Sequence, residues 1–336
     1  MIERFDRWMD RALYDPLDGF YARHGMAGRS QGDFITSPEV GPLFGKLIGR
    51  YLDAEWHRLG CPPDFEVVEV GAGRGALARS ILASEMECRG VLRYRTVERS
   101  ERLRQIQHHD LVDRVEISSE LPETVVGVVI ANELLDNLAT RVIQSGDRGW
   151  QEWFVEDGAK SLRPFDLDSC QVASLPALLK SDRDWQGVTL PIHEQASQWV
   201  SDVRGRVRRG SLVAIDYGAV STLELAQRDW LRCYRQHQEF FDPFSVPVGA
   251  CDVTVDIGFD QLDGVSSLTT QAEWLRGLGI DELVEQGRRI WSERAHLGDL
   301  AALKARSRIS EAESLTDPDG LGGFWVARWS VEEPSP

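Results

Sequence analysis

Three groups of residues in this chain have the types and spacing for chemistry. The first is Glu69-Val70-Gly71-Ala72-Gly73-Arg74-Gly75, an acid and three alternate glycines at the end of a β-branched run. Glycine is needed where a ligand must approach backbone that a Cβ would block. The second is Glu98, which closes the next apolar segment, Val91 to Val97. A carboxylate there can accept from both hydroxyls of a ribose. The third is Asn132-Glu133-Leu134-Leu135-Asp136, directly after the apolar stretch Thr124 to Ile130. Glu133 and Asp136 are three residues apart, so a helical turn would put both carboxylates on one face. There they could orient a cationic group and take a proton from it. A helix cap would account for Asn132 and Glu133 without chemistry.

The glycine loop suits two classes of ligand. Gly71-x-Gly73-x-x-Ala76 satisfies the dinucleotide fingerprint, and Glu98 follows at a distance suited to ribose. Glu69 separates the two classes. A carboxylate two residues before the first glycine would repel a pyrophosphate. S-Adenosyl-L-methionine has no phosphate, and its amino and sulfonium groups are cationic, so the acid favours that cofactor. A nicotinamide oxidoreductase ranks last. Ser119 and Glu120, after the short segment Val115 to Ile117, stand where an adenine-side residue would sit, although a simple turn accounts for them equally well.

The elements that must position these residues alternate. Strands are expected at 65–70, 91–97, 115–117, 124–130 and 211–215, with helices at 75–86 and 100–109. Repeated units of this kind imply an α/β fold with a doubly wound, mainly parallel sheet. Upstream, Phe5, Trp8, Met9, Ala12 and Leu13 give residues 3–14 an amphipathic helical pattern. Ser37-Pro38-Glu39 reads as a helix start, with Ser37 as the cap and the helix running to about residue 59. Antiparallel strands are expected on either side of a Gly-Asp-Arg-Gly turn within 141–190. Residues 221–265 read as loop-like, and the segment from Gly322 to Glu333 as a last, antiparallel strand at the far side of the sheet.

Composition narrows the class. With 336 residues and 42% hydrophobic content, the chain can bury a sizeable core. Its formal net charge of -16 argues against nucleic acid and favours a basic or neutral partner. The cysteines, Cys61, Cys88, Cys170, Cys233 and Cys251, are scattered, with no metal-ligand spacing. No metal and a reducing, cytoplasmic location are therefore expected. Acids in MIERFDRWMDRALYD argue against a signal or transit peptide, and no apolar run suggests membrane insertion.

Longer motifs carry a family resemblance. GDFITSPEVGPLFGKLIG (32–49), VEVGAGRG (68–75) and ANELLDNLATRVI (131–143) resemble the MidA-type methyltransferases, a family that includes a mitochondrial complex I assembly factor. The likeness continues through YDPLDGFYA (14–22), HEQASQWV (193–200), LVAIDYG (212–218), 233–259 and 268–280, and so spans nearly the whole chain. It implies a class I, Rossmann-like methyltransferase domain at 61–336, with insertions at about 141–190 and 221–265. A helical cap and flap at 1–60 would precede it. It further implies S-adenosyl-L-methionine as cofactor and arginine on a protein as acceptor. A small-molecule methyltransferase or a non-catalytic assembly factor are the alternatives. A homodimer is also among the expected partnerships.

By the same resemblance Glu69, Gly71, Ala72, Gly73 and Gly75 hold the methionine moiety and Glu98 the ribose. Gly32, Asp33, Phe34, Thr36, Ser37 and Pro38 form a flap over the cofactor, with Asp33 as its anchor. Ser119, Glu120, Asn132 and Glu133 complete the cofactor side. Asn132, Glu133 and Asp136 face the acceptor as the catalytic set. Tyr217 and His237 are further candidates for the acceptor site, with a structural role preferred for each. The chain departs from the family at Ala72, where a proline is common, and at Leu134-Leu135, where paired aromatics are common. It also departs at Val246–Asp252, where Val248 interrupts a Pro-Gly pattern.

Overall fold

The computed structural model describes residues 2–23, 36–111, 115–181, 183–235 and 238–332. The chain is α/β with mixed sheets and divides into two units. The first comprises Met1–Met26, Glu133–Gly205 and Asp216–Val265, the second Ala27–Asn132, Arg206–Ile215 and Ser266–Pro336.

The second unit is built on a seven-stranded sheet. Its order is Ser267–Thr270, Trp325–Val331, Val207–Asp216, Val125–Asn132, Glu66–Val70, Arg93–Val97 and Glu116–Ser118. The central pairings are parallel, with Val68 opposite Val129 and Val97 opposite Ser118. Val128, Val129, Ile130 and Ala131 are all buried in succession, as a strand covered on both faces requires. All five strands expected here form. The last strand, Trp325–Val331, is not at the edge: Ser267–Thr270 pairs antiparallel with it and lies outside it.

The helix expected from Ser37 to about residue 59 is two helices, Ser37–Val40 and Pro42–Arg58. The first starts at Thr36, which forms a reciprocal capping box with Glu39, so Ser37 is inside the helix. The break at Gly41 has two causes. Pro42 disfavours a helical conformation in the residue before it. In addition, a Cβ on Gly41 would lie 2.2 Å from the Glu311 carboxyl carbon. Glu311 then caps the second helix, its Oε2 accepting from the Leu43 amide at 2.8 Å. Phe44, Leu47, Ile48 and Leu52 of that helix are fully buried. Each such side chain stabilises the fold by roughly 1.5–3 kcal/mol, which outweighs the loss of one helical turn. Two further helices that the pattern analysis did not separate, Ile280–Arg294 and Leu300–Thr316, pack on each other.

In the first unit the helix Phe5–Tyr14 buries Phe5, Trp8, Met9, Ala12 and Leu13, the face expected. The five-stranded sheet contains Arg141–Gly146 and Gly149–Glu156, paired antiparallel around the expected turn. Residues 221–265 are not loop-like. Leu231–Arg235 forms the middle of a three-stranded sheet with Gln238–Phe240 and Asp252–Val255. Short strands rich in aspartate and aromatics hid the alternation there. Among the described residues no helix is long and apolar enough to cross a membrane.

Candidate functional site

The glycine loop belongs to the second unit and joins the Glu66–Val70 strand to the helix Ala76–Ala83. Gly71 N–H donates to the Val97 carbonyl at 2.8 Å, which ties the loop to the end of the neighbouring strand. Gly71, Gly73 and Gly75 have φ values of 69°, 54° and 73°, a region that disfavours side chains. Two of these glycines have different reasons for being glycine. A Cβ on Gly75 would meet Leu111 Cδ1 at 2.6 Å, whereas one on Gly73 would meet nothing within 4 Å among the described residues. At Gly75 a side chain would both strain the backbone and displace the Leu111 side chain, and Gly73 leaves open space above its backbone.

Glu98 binds the Gly73 backbone. It is 7% exposed. Its Oε2 accepts from Gly73 N–H at 2.9 Å and its Oε1 from Ser100 N–H at 2.8 Å. A carboxylate has about four lone-pair sites, so both oxygens keep capacity for hydroxyl donors. Burial pushes its carboxyl above the usual range, while the Ser100 and Gly73 amides hold it back. Gln107 braces the same loop, donating to the Gly73 carbonyl at 2.7 Å and accepting from Thr96 at 2.7 Å. Glu69 lies deeper. It is 4% exposed, and its Oε2 accepts from Tyr94 at 2.7 Å. Burial pushes Glu69 up to about 7, against the pull of the Tyr94 hydroxyl and the Ala78 amide. An open glycine backbone beside one buried acid with spare acceptor sites, and a second buried acid on the adjoining strand, could take a phosphate-free nucleoside.

The other expected cofactor residues are placed variously. Ala72 is buried, its amide near the Val97 carbonyl. Ser119 and Glu120 are exposed after Glu116–Ser118, where Ser118 Oγ accepts from the Glu120 amide at 2.9 Å. Thr36 and Pro38 are half-buried; Ser37 is fully buried and donates to Gln271 at 3.0 Å. Gly32, Asp33, Phe34 and His237 lie outside the described residues. Asn132 is the last residue of the Val125–Asn132 strand and pairs with Ile215.

The carboxylate group lies in the first unit. Glu133 and Asp136 do not share a helical face. Glu133 has φ 52°, and a one-turn helix begins two residues later, at Leu135–Asn137. Asp136 is 1% exposed. Its Oδ2 accepts from the Tyr217 hydroxyl, and its Oδ1 accepts no hydrogen bond from the described residues. Burial pushes Asp136 up to about 6, opposed by the Tyr217 hydroxyl and the Arg232 charge. The Arg232 guanidinium sits over the Tyr217 ring, 5.1 Å from its centroid, and pairs with Asp256. Asn137 is fixed in turn: it accepts from Tyr21 at 2.8 Å and donates to the Val253 carbonyl at 3.2 Å.

Sequence reasoning missed Asp216, whose signal was present as an acid ending the SLVAI run. It offered Tyr217 as a further acceptor-site group but preferred a structural role; the Tyr217 hydroxyl donates to Asp136. Gln107 and Tyr94 gave no signal, because their partners are remote in sequence. Among the described residues no cluster of His, Cys, Asp or Glu could hold a metal ion.

The family model Methyltransf_28, of S-adenosyl-L-methionine-dependent methyltransferases, matches residues 47–276. The rat protein arginine methyltransferase NDUFAF7, mitochondrial, is 30% identical over 316 residues, covering 82% of this chain and 70% of that protein. Its Drosophila melanogaster homolog is 29% identical over 292 residues, covering 75% and 64%. A COG1565 superfamily member from Burkholderia thailandensis, crystallised with S-adenosyl-homocysteine, is 28% identical with a TM-score of 0.79, over 99% of this chain and 89% of that one. The chain belongs to this S-adenosyl-L-methionine-dependent methyltransferase family. It is an enzyme, and its cofactor is S-adenosyl-L-methionine. The relatives are named mitochondrial, which corrects the expected cytoplasmic location. Scattered free thiols report a reducing compartment and do not say which one.

Proposed function

We propose that this methyltransferase acts on arginine in a protein, from a class I, Rossmann-like, doubly wound domain. In this reading residues 1–60 are a cap and flap, and the insertions near 141–190 and 221–265 serve the acceptor. The relatives' names support the acceptor class. The observation in this chain that carries it is Asp136, a buried carboxylate whose Oδ1 accepts from none of the described residues. A buried acceptor of this kind suits an N–H donor from a ligand, and guanidinium presents such donors in a planar fork.

When bound, S-adenosyl-L-methionine supplies a methyl group activated by its sulfonium. Glu98 would accept from the ribose hydroxyls, and Glu69, Gly71, Ala72 and Gly73 would hold the methionine portion. Ser119 and Glu120 serve the adenine side, and Gly32, Asp33, Phe34, Thr36, Ser37 and Pro38 form the flap. Glu133 and Asp136 orient the guanidinium and localise its charge, with Asn132 assisting. Asp136, raised to about 6, is a better proton acceptor than an ordinary carboxylate and takes the proton that the methylated nitrogen releases.

Glu133→Gln tests the assignment. Turnover is expected to fall by roughly 100-fold or more, the scale of general acid–base and charge-orienting groups. S-Adenosylhomocysteine affinity, measured by calorimetry, stays within a few-fold. Turnover at the wild-type rate would remove Glu133 from the chemistry.

A further inference from the structure

The acid that ends the Val207–Asp216 strand has no assigned part in the reaction, yet it is the most heavily hydrogen-bonded carboxylate near the Glu133 turn. Asp216 is fully buried. Its Oδ2 receives three consecutive backbone amides, those of Leu134, Leu135 and Asp136, at 3.2, 2.8 and 3.4 Å. Its Oδ1 receives the Tyr217 amide at 3.0 Å. Consecutive amides can converge on one oxygen only where the chain curls around it. That curl starts at Glu133, whose φ of 52° is one that few side chains adopt. The amides at the start of the short helix Leu135–Asn137 have no partner inside it. Here an acid from another strand supplies one.

We infer that Asp216 is a positioning residue: its carboxylate holds Glu133 in the left-handed turn and sets where the Asp136 and Tyr217 side chains meet. This rests on the reading that Glu133 and Asp136 serve the acceptor. The register explains how the grip arises. Asn132 and Ile215 are opposite each other in the parallel ladder; Asp216 is the next residue of its strand, and Glu133 is the first residue past the end of the other. An asparagine would not replace the aspartate. Both oxygens are acceptors here, and an amide group would turn its NH2 against either the three amides or the Tyr217 amide. The placement also has a cost. Burial, then the nearby Asp136 and Glu133 charges, push the Asp216 carboxyl well above its usual range. The amides that it binds offset this by favouring the charged form. A fully buried acid beside the buried Asp136 and the half-buried Glu133 is explained if its work is to hold the turn.

A set of variants tests the inference without using the reaction. Glu133→Gly and Glu133→Ala both remove the carboxylate, but only glycine is at ease at positive φ. With Asp216 intact, Glu133→Gly is expected to melt about 2–4 °C above Glu133→Ala. In the Asp216→Asn background the gap should close, because the turn is free to relax. A crystal structure of Asp216→Asn should show residue 133 at negative φ. No gap with Asp216 present, or an undiminished gap in the Asp216→Asn background, would overturn the inference. Should Asp216→Asn fail to fold, the Gly–Ala comparison in the wild-type background still decides whether the turn is held strained. The functional readout is separate. Asp216→Asn should lower turnover with a radiolabelled methyl donor at least tenfold, while S-adenosylhomocysteine affinity stays within threefold. A closed gap with full turnover in both Asp216→Asn and Glu133→Gln would leave the positioning role standing and defeat the proposed use of Glu133.

Discussion

At the scale of single residues, what matters is which carboxylates are charged and what they face. Asp136 lies almost wholly out of water, and its Oδ1 accepts no hydrogen bond from the described residues. Burial raises it to about 6 against the Tyr217 hydroxyl and Arg232. To hold a guanidinium it must be ionised. Its folded value lies above the ordinary carboxylate range, so the active form is lost at a higher pH on acidification than an exposed acid would allow. The proposal therefore predicts that kcat/KM, which reports the free enzyme, rises with pH through about 6 and then levels. A rising limb near 4 would place the essential acid elsewhere. The sequence singled out Glu133 and Asp136 because a polar pair after an apolar strand is visible as such. It misjudged their geometry, since helical spacing was assumed where the chain turns left-handed. The cause lies with Asp216, on a segment 80 to 82 residues later, and pattern reading has no access to that distance.

At the scale of elements, the strand–loop–helix corner was legible because its physics is local. β-Branched runs form the parallel strands, and positive φ at three alternate positions demands glycine. What the sequence could not show is that the glycines differ in purpose. Gly75 abuts Leu111, while Gly73 looks onto open space. Two substitutions follow. Gly75→Ala should lower the melting temperature by several degrees, since overpacking costs about 1–3 kcal/mol and strained φ adds to it. Gly73→Ala carries the strain of its φ of 54° without a packing clash and should melt only about 2–4 °C below wild type, yet bind S-adenosylhomocysteine at least tenfold more weakly, because its methyl group would occupy the ligand's approach. Thermal melts beside calorimetry separate the two, and equal effects in both variants would contradict the distinction. The split at Gly41 was illegible for a related reason: the carboxylate that enforces it belongs to Glu311, 268 residues from the amide it caps.

At the scale of the whole molecule, the strongest statement is membership of a methyltransferase family, supported by a match across residues 47–276 and by relatives aligned along most of the chain. The net charge of -16 fits a basic partner better than nucleic acid, and an arginine-bearing protein segment is such a partner. Composition misled on location, because thiol usage reports redox state and the relatives are named mitochondrial. The central claim is transfer of a methyl group to arginine with Glu133 in the machinery. It is tested most directly by incubating the enzyme with radiolabelled methyl donor and a host lysate, then hydrolysing the labelled protein to amino acids. The account predicts label in methylarginine with the wild-type enzyme and its loss with Glu133→Gln. Label recovered in a small molecule or in another amino acid, or undiminished methylarginine with Glu133→Gln, would contradict it.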